Sequence, residues 1–201
     1  LKHPLGWKSR AMTNQPTQGS MRATDLLRQQ HQTVKDMFGQ MDTARGDARS
    51  DLFDCLRATL ATHETAEEMV VHPAAKATGA EGARVVEARL AEEAEAKRVL
   101  ADLEKLTPAG DGFDSKFADF RKAAMAHAEA EERELFPILE SKVDPERLRE
   151  MSDAIERAER MAPTHAHPHS PESASGNMLV GPFVAMVDKV RDRLKDHATS
   201  K

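Results

Sequence analysis

The sequence predicts an all-α protein, an up-down-up-down four-helix bundle with a C-terminal helical extension, and three observations carry that expectation. Ala, Leu, Glu and Arg crowd the middle of the chain while aromatics make up only 4% and Tyr is absent, a composition that favours helices over strands. Apolar residues recur at spacings of three and four, with no strand-like alternation. Proline and glycine gather in separators, around Asp111-Gly112, Asp144-Pro145 and Pro163 to Gly181, which cut the chain into helix-length blocks.

Length and charge narrow the classes further. At 201 residues, 39% hydrophobic and 31% charged, the chain can bury a core, which excludes disorder throughout. No stretch approaches the ~18 apolar residues of a membrane span, and no apolar segment follows the basic residues Lys2, Lys8 and Arg10, so a cytoplasmic setting is expected. The single cysteine, Cys55, forms no intrachain disulfide and reads as a structural thiol. A net charge of −5 lacks the basic excess of a nucleic-acid binder.

Residues 1–21 show no period and read as a flexible leader, with Met12 and Met21 as start candidates. A first helix is expected from Thr24 or Asp25, as N-cap, to about Ala44, on the stripe Leu27, His31, Val34, Phe38, Met41. The second runs from about Ser50 to near Pro73, on Phe53, Leu56, Leu60, His63, Glu67 and Val70. A third, about 80–106, places Val86, Leu90, Glu93, Lys97, Leu100 and Leu103 near one face. The fourth, about 113–140, carries Phe113, Phe117, Phe120, Ala124, His127, Glu131, Leu135 and Ile138. The bundle is thus placed at 22–140. Asp144 and Pro145 open an additional helix within 141–161, a Pro/His/Ser-rich linker follows over 162–180, and 181–201 form a short amphipathic basic helix. Its stripe Phe183, Val187, Val190 and Leu194 is expected to dock on the bundle or on a protein partner.

Polar residues on these buried stripes are the chemical signal. An internal repeat sets His63-Glu-Thr-Ala-Glu67-Glu68-Met-Val-Val-His-Pro73 in register with His127-Ala-Glu-Ala-Glu131-Glu132-Arg-Glu-Leu-Phe-Pro137. Residues four apart share a helix face, so each His and Glu converge on one point inside the bundle, with His31 added from the first helix. Imidazole plus carboxylate suits a transition ion, and a bridging carboxylate holds two. The alternative is a buried His–Glu hydrogen-bond network, but an unpaired carboxylate on a core stripe costs several kcal/mol unless it is paired or metal-bound. No Glu-x-x-His occurs, so the ferritin-like pattern fails, and His63-Glu64-x-x-Glu67 lacks the second histidine of a metalloprotease.

These residues resemble the hemerythrin-like, or HHE cation-binding, family over about 22–140. The carriers are Leu-Leu-x-x-x-His31, His63-x-x-x-Glu67-Glu68 with Pro73, and His127-x-x-x-Glu131-Glu132-x-x-x-Phe136-Pro137. The tail from Gly181 to Asp192 also looks like extensions of some bacterial members. The resemblance implies a four-helix bundle around a non-haem centre of two iron ions, oxo- and carboxylate-bridged. It makes His31, His63, Glu67, His127 and Glu131 the ligands, with Glu67 and Glu131 as bridge candidates. The family usually places one or two histidines on the third helix, whereas this helix has none and Ala94 falls at the aligned position. Glu93 supplies an oxygen there instead, or else belongs to the solvated charge run Glu92-Glu93-x-Glu95.

Other histidines read as peripheral: His72, nine residues beyond His63 and about 180° round an α-helix, as a helix-end surface residue, and His165, His167 and His169 as adventitious binders at most. A donor set richer in carboxylate than an oxygen carrier's points to a protein that reacts with peroxide or O2, with catalase-like turnover as one form. Reversible O2 or NO binding, redox or iron sensing, and iron buffering are the alternatives.

Overall fold

A computed structural model describes residues 21–161 of the chain. The expected linker, C-terminal helix and three tail histidines lie outside those residues, as does the leader up to residue 20. Among the described residues the all-α expectation is met by five helices and no strand.

The first helix spans Ala23–Met41. Thr24 does not cap it: it sits inside the first turn, fully buried, and its hydroxyl donates to Glu140 Oε1 at 2.8 Å, tying this helix to the fourth. The second helix starts at Gly46, four residues earlier than expected, because Gly46 adopts φ +56° and lets the chain turn sharply into it. It also passes through Pro73. Gly46–Ala66 is α-helical, Glu67–Val71 forms a π-turn, and His72–Ala77 resumes the α-helix. The fourth helix repeats the device: Phe113–Ala130, a π-turn at Glu131–Leu135, then Phe136–Lys142. In each case a proline follows the π-turn closely. A proline ring clashes with the carbonyl four residues back and lacks an N–H, and a widened turn relieves both conflicts without ending the helix.

The third helix, Ala80–Leu103, packs tightly on the end of the second at Gly82, where an added Cβ would lie 2.0 Å from the Ala75 carbonyl oxygen. The fifth, Pro145–Met161, begins as expected with Asp144 Oδ1 accepting the Glu146 amide at 2.8 Å. Its Leu148, Met151 and Ile155 share a core with Leu27, Val71 and Leu135, so it closes one end of the bundle.

The interior consists of two apolar clusters with a polar belt between them. One contains Leu27, Val71, Val86 and Leu139, while the other contains Phe38, Leu56, Leu100 and Phe117. His31, His63, Glu93 and His127 each fall on their helix between a residue of the first cluster and a residue of the second. Packing between the two clusters buries the belt.

Candidate metal centre

The structure brings all six predicted residues into that belt, and all six are buried. Two groups of donor atoms form. His31, His63, Glu67 and Glu131 make one, and Glu64, Glu93 and His127 make the other, each with its donor atoms within 4.8 Å of one another. His31 Nε2 lies 3.3 Å from Glu131 Oε2, and His63 Nε2 lies 3.4 Å from Glu67 Oε2. On the other side, His127 Nε2 is 3.6 Å from Glu131 Oε1 and 3.8 Å from Glu64 Oε1. Two donors each ~2.1 Å from one ion and separated by 90° to 109° sit about 3.0 to 3.4 Å apart, close to these spacings. Glu131 presents one oxygen to each group, as a bridging carboxylate must.

The outer nitrogens explain why the inner ones point inward. His31 Nδ1 is 2.8 Å from Glu132 Oε1, His63 Nδ1 is 2.8 Å from Gln30 Oε1, and His127 Nδ1 is 3.1 Å from Glu92 Oε2. Each acceptor takes an Nδ1–H, fixing the ring and leaving Nε2 toward the centre, the arrangement found around metal-bound imidazoles. A self-sufficient hydrogen-bond network fits less well. Both oxygens of Glu67, Glu93 and Glu131, together with Nε2 of His31 and His127, are buried without a hydrogen-bond partner. Cations between the two groups would satisfy them, and two divalent ions balance the four carboxylates Glu64, Glu67, Glu93 and Glu131.

The electrostatics carry the same imprint. Burial pushes the carboxyls of Glu64 and Glu67 well above their usual range, with Glu93 adding to the effect on the first and Glu131 on the second. Glu93 rises to about 8 because burial outweighs the opposing pull of Lys97. Glu131 behaves oppositely: burial would raise it, but the His31 ring 3.3 Å away and the nearby His127 hold it down at about 2. The His31 imidazole is raised because Glu131 and Glu132 outweigh burial, whereas burial and His31 lower His63 to about 3. Ions entering this belt must therefore displace protons from several carboxyls.

One open alternative is decided and two expectations need correction. Ala94, aligned with the family's third-helix histidine, is exposed, and Glu93, one residue earlier, is 2% exposed and faces the belt. Cys55 is exposed on the second helix and does not pack into the core. His72 is no surface residue. It is only 3% exposed, with Nε2 3.7 Å from Glu93 Oε1. The π-turn supplies the reason: the His72 amide bonds to the Glu67 carbonyl, five residues back, so the extra residue rotates His72 from the far side of the helix to lie over Glu67. Glu64 was missed because the stripe was read from Leu60 to His63 at +3, although +4 from Leu60 reaches Glu64 on the same broad face.

Beside the belt lies a cavity of about 30 Å³, bounded by Glu64, Glu93 and His127 on one side and by Leu60, Phe120 and Met125 on the other. Among the described residues no helix is long and apolar enough to cross a membrane.

Comparison with known proteins agrees with this picture. A hemerythrin-like protein of Schizosaccharomyces pombe is 29% identical over 137 residues, 68% of either chain. A DNA nickase of a Nostoc species is 24% identical over 155 residues, 75% of this chain but 44% of that protein. The crystal structure of a hemerythrin HHE cation binding domain-containing protein from Mycobacterium kansasii superposes with a TM-score of 0.62 at 23% identity, covering 71% of this chain and 90% of that one, and shows the same fold. The family model for the hemerythrin HHE cation binding domain matches residues 22–139, which take in every buried donor described above. The chain belongs to the hemerythrin HHE cation-binding family.

Proposed function

We propose that this bundle holds two iron ions, one in each donor group with Glu131 between them, and that the centre reacts with hydrogen peroxide or O2, including catalase-like removal of peroxide. The observation that supports this most is the pairing of inward-facing histidine nitrogens, each locked by an outer acceptor, with a carboxylate whose two oxygens face separate donor groups. Such an iron pair exchanges two electrons, the number that converts one peroxide to water or another to O2, so that two H2O2 give two H2O and one O2.

The chain supplies the rest. Four buried carboxylates against three ring-anchored histidines are hard donors that favour the ferric state, which weighs for peroxide chemistry over reversible O2 carriage. Leu60, Phe120 and Met125 keep the cavity wall apolar, and about 30 Å³ beside the donors leaves room for a small ligand. Glu132, Gln30 and Glu92 hold the three rings against rotation. The Nostoc match leaves more than half of that protein uncovered, and its activity is not carried over.

The test is to add hydrogen peroxide to the iron-loaded protein while recording O2 release and the visible spectrum. Sustained O2 evolution that disappears in His127→Ala is expected. Reversible O2 uptake after anaerobic reduction, with no peroxide turnover, would replace this reading with a binding or sensing module.

A further inference from the structure

The second donor group is the poorer one. Apart from the shared Glu131 it draws on Glu64, Glu93 and a single histidine, His127, whereas the first draws on His31 and His63. The third helix, which faces it, contains no histidine at all. Yet an imidazole stands next to Glu93. His72 is buried and neither of its ring nitrogens has a hydrogen-bond partner, an arrangement that is destabilising if nothing compensates. Its Nε2 is 3.7 Å from Glu93 Oε1, the spacing seen between His127 and its carboxylates in the same group.

We propose that His72 is a ligand of the second ion, a histidine delivered by the second helix to the pocket that the third helix leaves short of nitrogen. The π-turn is what makes this geometry available, since an uninterrupted α-helix would carry His72 to the opposite face. The corresponding turn in the fourth helix delivers Phe136, which stacks on the His31 ring with centroids 5.7 Å apart and offers no donor. The two turns thus share a backbone device and present different chemistry. A second ion held by two histidines would match the first in nitrogen count.

The inference rests on the two-ion reading, and the experiment separates them. Metal-free protein is titrated anaerobically with Co(II), reading ions bound per chain and the visible ligand-field spectrum, for the wild type, His72→Ala and His72→Phe. The phenylalanine variant copies the residue that the fourth helix tolerates at this position, and circular dichroism checks that each variant folds. The wild type is expected to bind two ions, and both variants to keep one while the second weakens at least about tenfold. In parallel, 15N spectra of the histidine rings of wild-type protein with Zn(II) should show metal-shifted nitrogens at His31, His63, His127 and His72. Two ions with unchanged affinity and spectrum in the variants, or shifted nitrogens at only the first three, would overturn the role of His72 while leaving the two-ion centre standing. Fewer than two ions in the wild type would overturn both.

Discussion

The segments His63–Pro73 and His127–Pro137 follow one plan: a histidine, a glutamate four residues on, a π-turn and a proline. They diverge in chemistry at two buried or lining positions, where Glu64 and His72 of the first correspond to Ala128 and Phe136 of the second, while Val71 and Leu135 are both apolar. The first repeat is rich in donors and proton-loaded, with Glu64 and Glu67 raised by burial. The second is spare, and its Glu131 is kept ionised at about 2 by the close approach of His31 and by His127. A duplicated backbone device can therefore be tuned by side chains alone, one copy carrying four potential donors and the other two, one of them an ionised carboxylate, beside an aromatic wall.

The strongest way to break the comparison is to neutralise each carboxylate in turn. Glu131→Gln keeps the volume but removes the charge and one oxygen donor, so it should release both ions, taking metal content from two per chain toward zero. Glu67→Gln touches only the first group and should leave about one. Equal losses in the two variants, measured by elemental analysis after dialysis, would mean that the bridge is not Glu131.

Phe136 tests the apolar side of the contrast. It is fully buried, stacked on His31, with the Arg28 guanidinium 5.2 Å from its ring centroid. Phe136→Ala should destabilise the metal-free protein by ~3–5 kcal/mol in urea denaturation. A loss under about 1 kcal/mol would show that the site collapses around the vacancy, contrary to a packed aromatic wall.

Smaller effects are expected from the outer anchors, one on each side of the repeats. Gln30→Ala frees the His63 ring and Glu92→Ala frees the His127 ring, and each should weaken its own ion by about 10–100-fold. Competition with a chelator gives the affinities. If Gln30→Ala weakened the ion on the His127 side equally, the two groups would have to be one site.

The smallest effect is a pH trend. Glu64 and Glu67 are raised and Glu93 lies at about 8, all above the ordinary 4.5, so the folded metal-free protein holds more protons than the unfolded chain over this range. His63 at about 3 and His72 at about 4 are neutral in the folded protein, and in the unfolded chain they shed their protons around the ordinary 6.5, so both drop out only above about pH 7.5. Between pH 7.5 and 9 stability is therefore lost as pH rises, by about 1 kcal/mol or more, visible as a Tm lower by roughly 4 °C. Metal reverses the sign, because ions compete with those protons and bind better at higher pH. A metal-free Tm that climbs over this interval would contradict the burial of protonated carboxyls in the first repeat.

Much of this was legible from residue spacing. The stripes on the first and fourth helices put His31, His127 and Glu131 in the core because nothing disturbs the α-helical phase up to those positions, and the same holds for His63 and Glu67. Legibility stopped where the phase changed. Beyond Glu67 one extra residue per turn shifts every later side chain, which hid His72, although Pro73 inside an otherwise helical run, repeated at Pro137, was a sign that the helix bends there. On the third helix the charge run Glu92-Glu93-x-Glu95 has a ring anchor, a buried donor and a surface residue side by side, a distinction that only the packing partners make.

The most direct measurement is a crystal structure of the iron-loaded protein with anomalous data collected at the iron edge. The account predicts two peaks per chain, one among His31, His63 and Glu67 and the other among His127, Glu93 and Glu64, with the Glu131 carboxylate between them. A single peak, or none with the same side chains closed into a hydrogen-bonded network, would contradict it.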